Sequence, residues 1–145
     1  MLAEVRYALR RFLRFGEDAA RKAGLTPQQH QLLLAVKGFP GRDWATVGEL
    51  AERLQLRHHS AVGLVDRAEQ LGLIHRKPDP DDRRVVRISL TAAGDRALAR
   101  LTGLHLVELK LLGPKLALVA NLAAPRNPQA RGTRVASKGK RRAAR

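Results

Sequence analysis

Apolar positions recur along this chain first with the period of a helix and then, over one short stretch, with a period of two. Between positions 2 and 23, Leu2, Val5, Leu9, Phe12 and Leu13 are interleaved with Arg6, Arg10, Arg11 and Arg14, the pattern of an amphipathic helix ended by Gly24. Thr26-Pro27-Gln28-Gln29 then supplies an N-cap, a proline at the first helical position and a capping-box glutamine. A second helix is predicted from there to about Lys37, burying Leu32, Leu33 and Val36. After the loop Gly38 to Asp43, Trp44 to Thr46 reads as a short strand. Thr46-Val47-Gly48-Glu49 repeats the capping box, and Val47, Leu50, Ala51 and Leu54 share one face of a third helix over about 47–54. Past the break Gln55-Leu56-Arg57, the residues Val62, Val65, Ala68 and Leu71 mark a fourth helix with Gly72 in the C′ position. Two short helices joined by a tight turn form a helix-turn-helix.

Beyond Gly72 the period changes. Leu73 to Lys77 and Val85 to Leu90 read as strands, and Pro78-Asp79-Pro80-Asp81-Asp82-Arg83-Arg84 between them is a polar hairpin tip, a wing. Thr91 caps a long helix whose Leu98, Leu101, Leu104, Leu106, Val107, Leu109, Leu111 and Leu112 cover nearly its whole circumference. So apolar a helix needs cover on more than one side, which predicts a homodimer with Leu101, Leu104 and Leu109 buried between subunits. Gly113-Pro114 is expected to break this helix, leaving a last short one from Lys115 to Leu122. The fold class expected is mainly α with a small β-hairpin wing, a winged helix-turn-helix with a helical dimerisation module. Its DNA-binding lobe would span about 26–90 and its dimerisation helices about 2–23 and 91–124, within a domain of 1–125.

Charge sharpens the picture. The 145 residues hold 28 Lys and Arg against 13 Asp and Glu, a formal charge of +15, which puts polyanions first as partners. Eight of the basic residues and no acidic one lie in 126–145, a stretch with Val135 as its only large aliphatic residue, which reads as a disordered basic tail. Cysteine is absent, so disulfides, thiolate metal sites and cysteine nucleophiles are excluded. No run of about 18 apolar residues and no signal-peptide pattern is present, so the expectation is a cytoplasmic protein without a membrane partner.

The element order, together with Leu71-Gly72-Leu73-Ile74-His75-Arg76 and the run Asp82-Arg83-Arg84-Val85-Val86-Arg87-Ile88-Ser89-Leu90-Thr91-Ala92-Ala93-Gly94, resembles the MarR (multiple-antibiotic-resistance regulator) family of winged-helix transcription factors. The latter run fits the family's D-x-R, five residues, L-T-x-x-G wing pattern, and the resemblance covers about residues 2 to 124. It implies a regulator of transcription, more often a repressor, that binds a pseudo-palindromic double-stranded DNA operator as a homodimer and responds to a small-molecule effector between the dimer module and the winged helix. The major groove, about 12 Å wide, admits one helix with its N-terminal residues at the base edges. Those residues here are His58, His59 and Ser60, with Gly63 and Arg67 one turn on and Arg57 before them; Gly63, having no side chain, permits close approach. The arginines at 57 and 67 fit phosphate contacts equally well. In the wing, the resemblance implies that Arg84 inserts into a minor groove with Asp82 holding its guanidinium, and Arg83 then meets phosphate. The alternative is that Asp79, Asp81 and Asp82 simply pair with Arg83 and Arg84 in a solvated turn.

No nucleotide-binding, zinc-protease or serine-hydrolase motif occurs, which argues against an enzyme, and no cofactor is called for. His30 and His105 are expected near the junction of the dimer and DNA-binding parts. Packed or solvated histidines are the plain reading, and a metal-responsive regulator using them is the alternative. A sequence-tolerant architectural DNA-binding protein dominated by its basic tail is the competing class.

Overall fold

Both expected capping boxes form. Thr26 Oγ1 accepts the Gln29 N–H at 3.1 Å while Gln29 Oε1 accepts the Thr26 N–H at 2.9 Å, and Thr46 and Glu49 repeat the exchange at 3.3 and 2.9 Å. In this computed structural model, which describes residues 1–123, they start α2 (Pro27–Lys37) and α3 (Val47–Arg53). The other described elements are α1 (Leu2–Lys22), β1 (Trp44–Ala45), α4 (His58–Gln70), β2 (Ile74–Pro78), β3 (Val86–Leu90) and α5 (Ala92–Ala123). The basic tail expected over 126–145 lies outside the described residues.

The turn between α3 and α4 is closed by a residue that composition does not flag. Gln55 adopts φ +53, and the Leu56 N–H donates to the Ala51 carbonyl at 2.9 Å, a Schellman closure with glutamine where glycine is usual. Gly72, at φ +69, ends α4 in the same manner.

The strands form one antiparallel sheet in the order β1-β3-β2. Trp44 pairs with Ser89 and Ala45 with Ile88, while His75 pairs with Ser89 and Arg76 with Ile88. Because side chains alternate along a strand, Ala45, Ile88, Leu90 and Ile74 share the face turned to the core. They meet Leu32, Leu33 and Val36 of α2, Leu50 of α3, Leu64 and Val65 of α4, and Ala97, Leu98 and Leu101 of α5. The start of α5 is fastened to the turn after α4. The Thr91 N–H donates to the Leu73 carbonyl at 3.0 Å, and Gly94 packs so tightly there that a Cβ on it would stand 2.0 Å from the same oxygen.

Three expectations need correction. Helix α5 runs unbroken from Ala92 to Ala123 with Pro114 inside it, rather than stopping at Gly113-Pro114. Pro114 and Lys110 are exposed, so the carbonyl that loses a donor to the missing N–H has water beside it. The buried face of α4 comprises Ala61, Leu64, Val65 and Ala68; Leu71, assigned to it by periodicity, is 61% exposed because it caps the helix instead of lying on its inner stripe. Leu101, expected between subunits, is 1% exposed in the single chain and belongs to its own core. Leu104 and Leu109 are open to solvent, as are Leu106, Val107 and Leu111 on α5 and Leu2, Leu9 and Leu13 on α1, which packs along α5.

Candidate nucleic-acid interface

The first residues of α4 are free of the core. Arg57, His58, His59 and Ser60 are all exposed, and Arg57 makes no side-chain cap bond to the helix start. Their placement follows from the buried stripe opposite: with Ala61, Leu64, Val65 and Ala68 turned inward, the outer face presents Arg67, also exposed, one turn on. Gly63 is half-buried, and a Cβ there would come within 3.2 Å of Arg67 Nη1, so the absent side chain leaves room for the arginine to fold back along the helix.

The far end of α4 is tied to the wing. Arg76, on the core side of β2, donates through Nη2 to Asp66 Oδ1 at 2.5 Å and through Nη1 to Glu69 Oε2, and its backbone N–H donates to Glu69 Oε1 at 3.3 Å. One guanidinium thereby spans two acids on α4 and fixes the angle between helix and hairpin.

At the hairpin tip, Asp82 holds Arg84 as expected. Its Oδ1 accepts from Arg84 Nε at 3.1 Å and from the Arg84 backbone N–H at 3.1 Å, and Oδ2 accepts from Nη2 at 3.2 Å. These bonds from the Arg84 side chain and backbone hold the Asp82 carboxyl below the usual carboxylate range. The Arg84 side chain is nevertheless 91% exposed, projecting into solvent while its orientation is set. Arg83 is exposed beside it. The alternative pairing of all three aspartates with Arg83 and Arg84 is not what the tip adopts. Asp79 is buried, accepts the N–H groups of Asp81 and Asp82 at 2.8 and 3.0 Å, and binds Arg87 Nε at 2.6 Å. The bond from the Asp81 N–H, then Arg87, then the bond from the Asp82 N–H, lower its pKa.

Arg87 was not among the residues singled out from the sequence, and neither were Phe39, Arg42 and Trp44, which join it in a cation–π stack. The only sequence signal was weak: a lone tryptophan in a chain with few aromatics, on a strand of two residues.

His30 and His105 do meet. Their ring centroids are 4.8 Å apart, and the His105 ring also lies edge-on to Phe12 and Phe15, at 5.8 and 5.7 Å. His105 Nδ1 donates to the Leu101 carbonyl at 2.7 Å, which leaves Nε2 against Gly16, where a Cβ would stand 2.7 Å away. Burial, then the neighbouring His105, lowers the pKa of His30. The pair borders a cavity of about 330 Å³ between α1, α2 and α5, with Phe12, Leu34 and Leu109 among its apolar walls and Glu17 and Thr102 among its polar ones. Among the described residues, no group of three His, Cys, Asp or Glu side chains is placed to hold a metal ion. None of the described helices is long and apolar enough to cross a membrane.

Residues 23–85 match the model of the MarR family. The HTH-type transcriptional repressor MdtR of Bacillus subtilis is 36% identical over 78 residues, which cover 54% of this chain and 48% of the relative. The chain thus spans about half the length of the curated relatives it matches. A MarR family protein from Bacillus stearothermophilus superposes with a TM-score of 0.68 at 25% identity, over 83% of this chain and 85% of that one. An S. aureus MepR variant bound to an oligodeoxyribonucleotide gives 0.62 at 22% identity, over 81% and 88%, a likeness of fold.

Proposed function

The chain belongs to the MarR family of winged-helix proteins, and from that premise we propose that it is a sequence-specific regulator of transcription, a homodimeric repressor that binds a pseudo-palindromic duplex operator and responds to a small-molecule effector. The observation that carries the reading is the wing tip, where Asp82 orients an arginine that is otherwise exposed. A pre-oriented guanidinium is suited to a narrow minor groove, whose enhanced negative potential attracts it. In this reading Arg84 enters the groove and Asp82 positions it. Arg83 meets phosphate, and His58, His59 and Ser60 address base edges in the major groove, with Gly63 at the close approach and Arg57 and Arg67 on the backbone.

The lobe of about 26–90 binds DNA, and the helices of about 2–23 and 91–124 join the subunits. Exposed leucines on α1 and α5 support that joining, since an apolar surface of this extent favours a partner. The cavity beside His30 and His105 is the effector site, lying where α1 and α5 of the dimer module meet α2 of the DNA-binding lobe. A ligand there acts by favouring one spacing of the two recognition helices over another. The tail from Arg126 adds affinity without choosing sequence.

The test is a comparison of Arg84→Ala with Arg83→Ala on a duplex selected from a random pool, flanked by A·T-rich or by G·C-rich steps. The selected duplex should be bound roughly a thousandfold or more above random DNA at physiological salt. Arg84→Ala should lose most on A·T-rich flanks, and Arg83→Ala should weaken both about equally. Equal binding of selected and random DNA makes the protein architectural. Parallel losses for Arg84→Ala, with divergence for Arg83→Ala, reverse the two roles.

A further inference from the structure

A two-stranded hairpin has little stability of its own in water, so its tip needs an anchor elsewhere in the fold. Here the anchor is a stack assembled from separate elements. The Arg42 guanidinium lies 4.2 Å from the Phe39 ring centroid and 3.9 Å from that of Trp44, and Glu49 of α3 binds its Nη2. The Arg87 guanidinium also lies over Trp44, at 4.2 Å. The sheet register accounts for this: Trp44 pairs with Ser89, which places Arg87 on the same face as its diagonal neighbour. Arg87 Nε then donates to Asp79 at 2.6 Å, and Asp79 receives the backbone N–H groups of Asp81 and Asp82. The contacts run without a gap from α3 and the α2–β1 loop to the turn that carries Asp82 and Arg84.

The stack is shielded enough to matter. The Arg87 and Asp79 side chains are only 30% and 11% exposed, and partial removal from water strengthens both the ion pair and the cation–π contact. Arg87 is held on two sides, through Nε by Asp79 and across its flat face by Trp44, and its side chain is far less exposed than that of Arg84.

We propose that Trp44 and Arg87 are positioning residues of the wing: they hold Asp79, and through it the turn at Asp81 and Asp82, so that Arg84 reaches DNA already oriented. The inference rests on the reading that Arg84 enters the minor groove. Without the stack the tip samples other arrangements, and affinity falls in proportion to the fraction that remains competent, about three- to tenfold.

The experiment uses the full chain and a duplex that the unmodified protein selects from a random pool, with A·T-rich flanks or with G·C-rich flanks in their place. Arg87→Met should lose about three- to tenfold on the A·T-rich flanks, much less on the G·C-rich ones, and little further when combined with Arg84→Ala. Trp44→Leu should behave like Arg87→Met, and Trp44→Phe, which keeps an aromatic face, should restore most of the binding. Amide hydrogen exchange, which needs no DNA, should quicken at Asp81 and Asp82 in Arg87→Met while Ile74 and Ile88 remain protected. A loss equal on both flanks, a loss that adds in full to that of Arg84→Ala, or unchanged exchange at the tip overturns the positioning role alone. Arg84→Ala with no effect on either duplex removes the underlying reading, and the proposal falls with it.

Discussion

Replacing Gly94 by alanine adds a single methyl group and should destabilise the protein, although alanine is the better helix former. A Cβ at this position would stand 2.0 Å from the Leu73 carbonyl oxygen and 3.0 Å from its carbon, where ordinary contact begins near 3.4 Å. The carbonyl and the start of α5 must therefore separate by about 1.4 Å. That displacement breaks the 3.0 Å hydrogen bond from the Thr91 N–H to the same oxygen, a loss of about 0.5–1.5 kcal/mol. It also shifts Ala97, Leu98 and Leu101 in the core, and overpacking of this kind costs roughly 1–3 kcal/mol. Helix propensity returns at most about 1 kcal/mol. The net expectation is a loss of roughly 1–3 kcal/mol, or about 3–9 °C in Tm for a chain of this size. Thermal and urea unfolding at one fixed protein concentration measure it, since dimer formation would make Tm concentration-dependent. Gly48→Ala is the control. It lies in the first turn of α3 with nothing within 4 Å of its Cβ, so it should be neutral or slightly stabilising. A Gly94→Ala protein as stable as the parent would refute the packing argument, and with it the view that the glycine of the wing pattern is there to seat α5 on the α4–β2 turn.

Three further outcomes are expected. Leu104→Glu combined with Leu109→Glu should place charge in the proposed subunit contact and cost several kcal/mol of association, so sedimentation should show a folded monomer; an unchanged dimer excludes these helices as the contact. Deleting residues 126–145 should flatten the plot of log affinity against log salt by a few units, at about 0.9 for each phosphate the tail neutralises, while relative preferences among DNA sites stay as they were; weakened discrimination at an unchanged slope would make the tail a reader of sequence. Burial, then His105, lowers the His30 pKa below its ordinary 6.5, so the unfolded chain takes up that proton first. Stability from this group is complete above about pH 6.5 and drains away as the pH falls through 6.5 toward the lowered folded value. Urea unfolding between pH 7 and 5 should show this decline, with His30→Gln flattening it; a parent whose stability rises over the same interval would contradict the assignment.

Much of the fold was legible because its signals act over a few residues. The capping boxes at Thr26 and Thr46 need only a side chain three positions away, and the grip of Asp82 on Arg84, which the resemblance to the family's wing pattern implied, spans two. Such contacts survive any uncertainty about how the elements pack. Periodicity misled where it ran past the end of an element: it carried Leu71 onto the buried stripe of α4, although the chain turns there, and it could not tell Leu101, facing the core, from Leu104, facing solvent. A helix apolar nearly all round hides which stripe its own core takes, and packing against α1 and α2 decided that. Proline chemistry argued for a stop at Pro114, yet exposed surroundings let α5 continue.

The amino-acid sequence by itself thus determined the element order as far as the start of α5, the helix-turn-helix, the wing and the basic surplus, all of which follow from local spacing and composition, while the orientation of Arg84 by Asp82 was implied by the resemblance to the family's wing pattern. Only the tertiary structure brought Trp44 over Arg87, joined Arg76 to Asp66 and Glu69, and set His30 against His105. Each of those contacts depends on a strand register or a helix crossing that unites distant parts of the chain. A single sequence does not encode such a meeting in any short-range pattern; the energy that selects it is the burial of the whole core.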